Sequence, residues 1–405
     1  MSGFGPRDRA ALTTTEGGVT APSGFRAGGV FAGLKRSGRP DVALVVSDVP
    51  ATAAVALTTN RVRAAPCVIT ARNAADGHAR ALVVNSGNAN ACTGPDGLAA
   101  AEATTEAVAT HLGIDPTDVL ICSTGVIGVP LDLARLLAAI PRVVADLSDD
   151  GGGRAARAIL TTDTTTKEVA YRVEDATGAC TVGGMAKGAG MIEPTMATVI
   201  GLITTDAPLT PAVLRPIVRQ VVARTFNRIS IDACGSTNDT VAVLANGNAT
   251  QPPTLATFRA ALEAVCADLA RAVVADGEGT TKVAELHVVG ARSEDDAVAL
   301  ARAVAASTLF RAALAGADPN WGRVLAAMGA TDVDFDPERV TVRFAGVTVC
   351  RFGVATSFDR GQAAAALSKR DVEVTVDLGL GGAEATFLTA DLTPAYVRFN
   401  AEYTT

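Results

Sequence analysis

The segment of this 405-residue sequence richest in chemistry runs Gly183-Gly184-Met185-Ala186-Lys187-Gly188-Ala189-Gly190-Met191-Ile192-Glu193-Pro194-Thr195-Met196-Ala197-Thr198. A glycine-rich loop leads through a proline and a small residue to a threonine at the head of an apolar run. A threonine hydroxyl is a poor nucleophile at neutral pH unless a base stands beside it. An N-terminal threonine supplies that base from its own α-amine, whose pKa of roughly 7.7–8.0 suits proton transfer. Inside an intact chain that nitrogen is an amide. Cleavage between Ala197 and Thr198 would therefore create nucleophile and base in one event. By itself the pattern is weak, because β-branched residues open strands for structural reasons and a loop lysine such as Lys187 is ordinarily solvated.

Other catalytic templates fail. A nucleophile elbow needs G-x-S-x-G, which is absent. His78, His111 and His287 have no acidic or thiol partner at a telling spacing, and His287 reads as a structural residue of an alternating strand. The run Gly183 to Gly188 lacks the Lys-Ser or Lys-Thr ending of a phosphate loop, and Gly379-Leu380-Gly381-Gly382 does not complete a dinucleotide fingerprint. Seven scattered cysteines, never spaced C-x-x-C, with only three histidines, argue against a zinc cage or a disulfide framework. A net charge of −7 disfavours a nucleic-acid binder. No run approaches the ~18 apolar residues of a membrane span, and residues 1–11 lack the apolar stretch of a signal peptide. A cytoplasmic protein with a packed core is expected.

The elements that must position this segment are legible as short apolar runs and longer Ala- and Leu-rich stretches. Residues 42–46, 81–84 and 119–122 read as buried strands, and 98–112 and 131–147 as helices. Residues 149–153 (Asp-Asp-Gly-Gly-Gly) read as loop. Beyond Thr198, residues 199–203 read as a strand, and Thr210-Pro211 as the capped start of a helix. Leu255, Phe258, Leu262, Val265, Leu269 and Val273 recur at helical spacing. Residues 283–289 predict a strand, 293–314 one long helix, 340–347 a hairpin turning at Ala345-Gly346, and 372–378 a further strand. The expected class is α/β, with layered sheets and helices.

Beyond the first segment, further motifs extend along nearly the whole chain. They are Gly18-Val19-Thr20-Ala21-Pro22-Ser23-Gly24-Phe25, Asn85-Ser86-Gly87-Asn88-Ala89-Asn90-Ala91-Cys92-Thr93-Gly94, Cys122-Ser123-Thr124-Gly125-Val126-Ile127-Gly128, Thr161-Thr162-Asp163-Thr164, Ser236-Thr237-Asn238-Asp239-Thr240, Asp276-Gly277-Glu278-Gly279, Asp318-Pro319-Asn320-Trp321-Gly322-Arg323 and Asn400-Ala401-Glu402-Tyr403-Thr404-Thr405. In this order the set closely resembles the ornithine acetyltransferase family, which includes bifunctional members that also act as N-acetylglutamate synthases.

The resemblance implies a self-cleaving acyltransferase fold, with sheets sandwiched by helices. It implies two chains, 1–197 and 198–405, cut between Ala197 and Thr198 and staying together, as an α2β2 assembly. Thr198 would take acetyl from N-acetylornithine and pass it to glutamate, with Thr124 and Gly125 forming the oxyanion hole. Thr161, Lys187, Thr198, Glu278, Asn400 and Thr405 would contact substrate, with Thr162 a rival to Thr161. The C-terminal tail should fold back onto the site. No cofactor is expected, with acetyl-CoA an alternative donor. Asp318 to Arg323 reads as structural, and Glu193 as either tuning the cut or sitting in solvent. Three other readings share these residues: an amidase using water as acceptor, a secondary-metabolism paralogue with another acceptor, and a binding protein that never cleaves.

Overall fold

The structure, a computed structural model, describes residues 4–6, 9–193 and 199–402. Runs of Val, Ile and Ala that are apolar on both faces make strands covered on both sides, and alternate residues show where each face goes. Along β3 (Val42–Leu57), Val42, Leu44 and Val46 join one apolar cluster while Ala43 and Val45 join another. The first cluster is closed by helices α1 (Ala65–Asn73), α2 (Gly94–Leu112) and α3 (Leu133–Ala145), through Ile69, Val108 and Ile140.

Among the described residues nine strands form one mixed sheet. Its order is β1 (Leu12–Thr14), β6 (Lys167–Asp175), β7 (Gly178–Lys187), β8 (Ile200–Thr205), β10 (Thr240–Ala245), β3, β4 (His78–Asn88) and β5 (Val119–Val126), with β2 (Phe25–Val30) also on β3. The register of β3 against β4 shifts between Val46 and Ala51. At this irregularity the sheet folds over, because one cluster holds Val45, Val84 and Leu120 from one arm together with Met185, Ile200, Leu202 and Leu244 from the other. Outside the second arm lie α5 (Pro211–Arg224) and α6 (Leu255–Ala275), which pack on Val182, Ile203 and Val243. The result is the expected layered arrangement of helix, sheet, sheet and helix.

Among the described residues a second, seven-stranded sheet runs β14 (Val354–Ala355), β13 (Val347–Arg351), β12 (Thr341–Phe344), β15 (Asp371–Asp377), β11 (Val283–Ala291), β16 (Ala383–Ala390), β9 (Ile229–Ser230). It shares Val283, Leu388 and Ala390 with the core beneath α6, which ties the two sheets together. The strand and hairpin expectations hold. The hairpin turns at Ala345 and Gly346, both at positive φ (45° and 85°), as a two-residue turn between twisted strands requires.

Three expectations need correction. The long helix over 293–314 is two, α7 (Glu294–Ala306) and α8 (Thr308–Ala315), set at 62°. Between them Ser307 is extended and caps the second helix by accepting from the Phe310 N–H at 3.2 Å. The 149–153 loop is a turn only as far as Gly151, since α4 (Gly152–Ala158) begins at the next residue. Pro211 does start α5, but the Thr210 hydroxyl makes no capping bond. Among the described residues no single helix is long and apolar enough to cross a membrane; only the bent pair α7–α8 passes on length and composition together.

Candidate active site

The two arms of the folded sheet bring Thr124 and Lys187 together. Thr124 lies near the end of β5, is 6% exposed, and its Oγ1 accepts from Lys187 Nζ at 3.3 Å. Asn238 staples the same rim by donating to the carbonyls of Ala89 and Ser123 at 2.6 and 2.8 Å. Gly125 follows at φ 133°, and a Cβ there would stand 2.3 Å from the carbonyl carbon of Gly87. Only glycine lets β5 approach β4 this closely while turning its backbone into that conformation.

Lys187, the last residue of β7, is 4% exposed. Burial pulls its pKa down; Asp163 opposes that pull, Lys167 adds to it, and Glu278 and Asp239 oppose it more weakly. Asp163 is the hub of the rim. It accepts from Thr161 N–H at 3.0 Å, Gly188 N–H at 2.7 Å and Lys167 Nζ at 2.7 Å. Its own burial would raise its pKa, but the ammonium groups of Lys187 and Lys167, with the bonds from Lys167 and Gly188, hold it down to about 2. Lys167 also reaches Asp276 at 2.6 Å, and Asp276 accepts from the Thr164 N–H and hydroxyl. One buried chain of charges therefore joins the Thr161 turn, the end of β7 and the loop after α6.

That loop presents Glu278. Its N–H donates to Ala189 O at 2.8 Å, and its carboxylate accepts from Asn400 Nδ2 at 2.9 Å. Gly190 makes room for it, since a Cβ there would sit 2.5 Å from Glu278 Oε2. Asn400 rides on α11 (Pro394–Glu402), the helix after α10 (Arg360–Leu367), anchored where the Thr393 hydroxyl donates to Gly279 O at 2.7 Å. The C-terminal helix thus does fold back onto this rim.

The expected residues Thr124, Gly125, Thr161, Lys187, Glu278 and Asn400 are thereby connected through one network. Ala197, Thr198 and Thr405 lie outside the described residues. Their neighbours are placed: Val199 O accepts from Thr240 N–H at 3.0 Å, and Ile200 sits opposite both Lys187 and Thr240 in the sheet. Upstream, Asp232 accepts from the N–H groups of Met191 and Ile192 at 2.5 and 2.8 Å. Glu193 is neither fully solvated nor satisfied; its Oε2 is buried without a partner, and burial raises its pKa. Asp318 to Arg323 is the turn that starts α9 (Trp321–Gly329), with Asn320 as the cap.

Sequence reasoning missed the hub Asp163 and its partners Lys167 and Asp276, as well as Asp232. The signal for Asp163 and Asp276 was present, because both stand inside motifs that carried the resemblance. Nothing in the sequence marked Lys167 or Asp232.

Polar side chains gathered where a helix-covered sheet folds on itself place the molecule in a class, the layered α/β enzymes with a rim site. Within it the chain belongs to the ArgJ family, which matches residues 26–405. It is similar to the arginine biosynthesis bifunctional protein ArgJ of Thermobifida fusca (strain YX), 48% identical over 388 residues, covering 96% of this chain and 100% of that one. The protein of the same name from Mycobacterium tuberculosis (strain ATCC 25618 / H37Rv) is 46% identical over 394 residues, 95% of this chain and 96% of that one. Among solved structures, the ornithine acetyltransferase of Mycobacterium tuberculosis, complexed with ornithine, is 46% identical with a TM-score of 0.43, covering 45% of this chain and 98% of that one. The chain is an enzyme of this family.

Proposed function

We propose that this enzyme is a cytoplasmic acetyltransferase of arginine biosynthesis, which cuts itself between Ala197 and Thr198 and then carries acetyl on Thr198 from N-acetylornithine to glutamate. The observation that carries the reading is the meeting of Lys187 and Thr124 at 3.3 Å across the two arms, on the rim where Val199 joins the sheet.

In the proposed reaction the freed amine of Thr198 takes the proton of its own hydroxyl, and Oγ1 bonds to the acetyl carbon of N-acetylornithine. The carbonyl oxygen becomes an oxyanion, met by the Thr124 hydroxyl and the Gly125 N–H. The C–N bond then breaks, and the departing ornithine nitrogen takes the proton held on the amine. Glutamate's neutral amine attacks the resulting ester by the reverse path, releasing N-acetylglutamate and the free hydroxyl.

Lys187 stands ready to draw a substrate carboxylate. As an ammonium it also disfavours protonation of the nearby amine. Glu278 and Asn400 form an acid–amide pair suited to the ammonium end of ornithine, with Thr161 and Thr405 as further contacts. The relatives' name includes the word bifunctional; the second activity we assign is acetylation of glutamate from acetyl-CoA. Two chains, 1–197 and 198–405, would stay together in an α2β2 assembly.

Intact-mass measurement tests the reading. Two species ending at Ala197 and beginning at Thr198 are expected, and the second should gain one acetyl group with N-acetylornithine when glutamate is withheld. A single uncut chain, or acetyl release to water at the same rate with and without glutamate, would refute it. Acetyl-CoA with glutamate alone reads the second activity.

A further inference from the structure

Asp239 has no part in the mechanism above, yet it is the most unusual acid at the rim. The residue is 1% exposed, and among the described residues neither carboxyl oxygen has a hydrogen-bond partner. Its position is fixed from both sides. Its carbonyl accepts from Thr58 N–H at 3.0 Å, and the next residue, Thr240, donates its N–H to Val199 O. The carboxyl lies beside the Val199 peptide nitrogen, the Thr58 hydroxyl and the Ser236 backbone, close enough for each to act on its charge but outside bonding geometry. The titratable groups that face it are Lys187 on β7 and the Cys67 thiol on α1. Burial raises its pKa well above the carboxylate range, and the nearby donors and Lys187 offset only part of that. A buried acid left without a hydrogen-bond partner among the described residues is costly, and this one stands beside residue 199.

We infer that the Asp239 carboxyl is the proton shuttle of the self-cleavage, a role that rests on the cleavage reading above. As Thr198 Oγ1 bonds to the Ala197 carbonyl carbon and the Ala197–Thr198 C–N bond breaks, one carboxyl oxygen gives its proton to the departing nitrogen. The other oxygen takes the proton leaving the hydroxyl, so the acid is restored and the shift to an ester is balanced. Water then cleaves the ester, leaving the Ala197 carboxylate and the Thr198 hydroxyl. A neutral carboxylic acid can do both in one motion, whereas a carboxylate cannot give and an amide cannot readily pass a proton on.

The test follows cleavage of freshly translated full-length chain at several pH values, by gel and intact mass. Wild-type cleavage should hold at low and neutral pH and slow as pH rises through the elevated pKa of the acid. Asp239→Asn, nearly isosteric, should cleave ~10²-fold more slowly and lose that decline. Asp239→Glu should keep the decline at a reduced rate, and it carries the test should the asparagine variant not fold. Asp239→Asn cleaving at the wild-type rate, or slowly with the wild-type pH profile, overturns the shuttle. So does a wild-type rate that does not fall with pH. A wild-type chain that never cleaves overturns the cleavage reading with it, whereas a cleaving wild type matched by Asp239→Asn overturns this inference alone.

Discussion

An ammonium as deeply buried as that of Lys187 persists only where an opposite charge answers it, and at this rim the answer is Asp163, shared with Lys167. The sharing has a pH signature. Asp163 titrates near 2 in the folded protein and at about 3.9 in the unfolded chain. The folded state therefore resists taking up the proton, and the resulting stability is present above about pH 4 and lost as pH falls towards 2. Urea midpoints measured across that window should fall, and Asp163→Asn should flatten the fall while costing about 3 kcal/mol at neutral pH. Thr124 gives a second expectation. Thr124→Val keeps the volume and removes the hydroxyl, so acetyl transfer should slow ~10²–10³-fold, with a lowered melting temperature because the buried Lys187 ammonium loses that acceptor. Equal rates in wild type and variant would remove Thr124 from the oxyanion hole. Which of these residues could be read in advance follows from where their partners lie. Thr124, Lys187 and Glu278 stand in motifs with a recognisable order. Asp163 stood in one too, but its partner Gly188 is 25 residues away, and Lys167 bridges it to Asp276 at a separation of 109. A charge hub assembled over such distances leaves no local pattern.

At the scale of elements, periodicity anticipated what packing alone decides and missed what a single side chain decides. The α6 stripe is buried from Phe258 to Val273 as its spacing requires, but its first member, Leu255, is 46% exposed. The run over 293–314 keeps helical composition across Ser307, and only the capping bond of that serine reveals the break. The bend lets Phe310 and Leu314 join the core of the second sheet, and it turns Arg311, 1% exposed, onto the carbonyls of Ala390 and Ile231. Two elements invite direct tests. Gly125→Ala would drive a Cβ into the Gly87 backbone, so β4 and β5 must part at the rim. Activity should be lost together with a marked drop in melting temperature, and a fully active alanine variant would contradict the close approach. By contrast α11 buries none of its described residues. Ending the chain after Thr393 should leave the protein folded while raising KM for N-acetylornithine, because Glu278 loses Asn400. An unchanged KM would take the helix out of the site.

For the molecule as a whole, the proposed cut at 197/198 does not coincide with a boundary of the fold among the described residues. Strands β8 and β10, from beyond the division, lie between β7 and β3, from before it. Each strand of this pair is hydrogen-bonded to the other and to a strand of the first part. The core beneath α6 likewise mixes Val173 and Val182 with Val243 and Leu262. Two products of a cut should therefore elute as one species in native gel filtration and part only on unfolding; separate peaks under native conditions would contradict the shared sheet.

The interleaved sheet also sets how the enzyme can recover from denaturation. An intact chain carries every neighbour that β8 and β10 need, so its refolding is unimolecular and indifferent to concentration. A severed one must first find its other part, which makes recovery a second-order event that dilution slows. Processing would thus act as a ratchet in assembly: the fold is completed once, while the two parts are still covalently neighbours, and regained afterwards only by encounter.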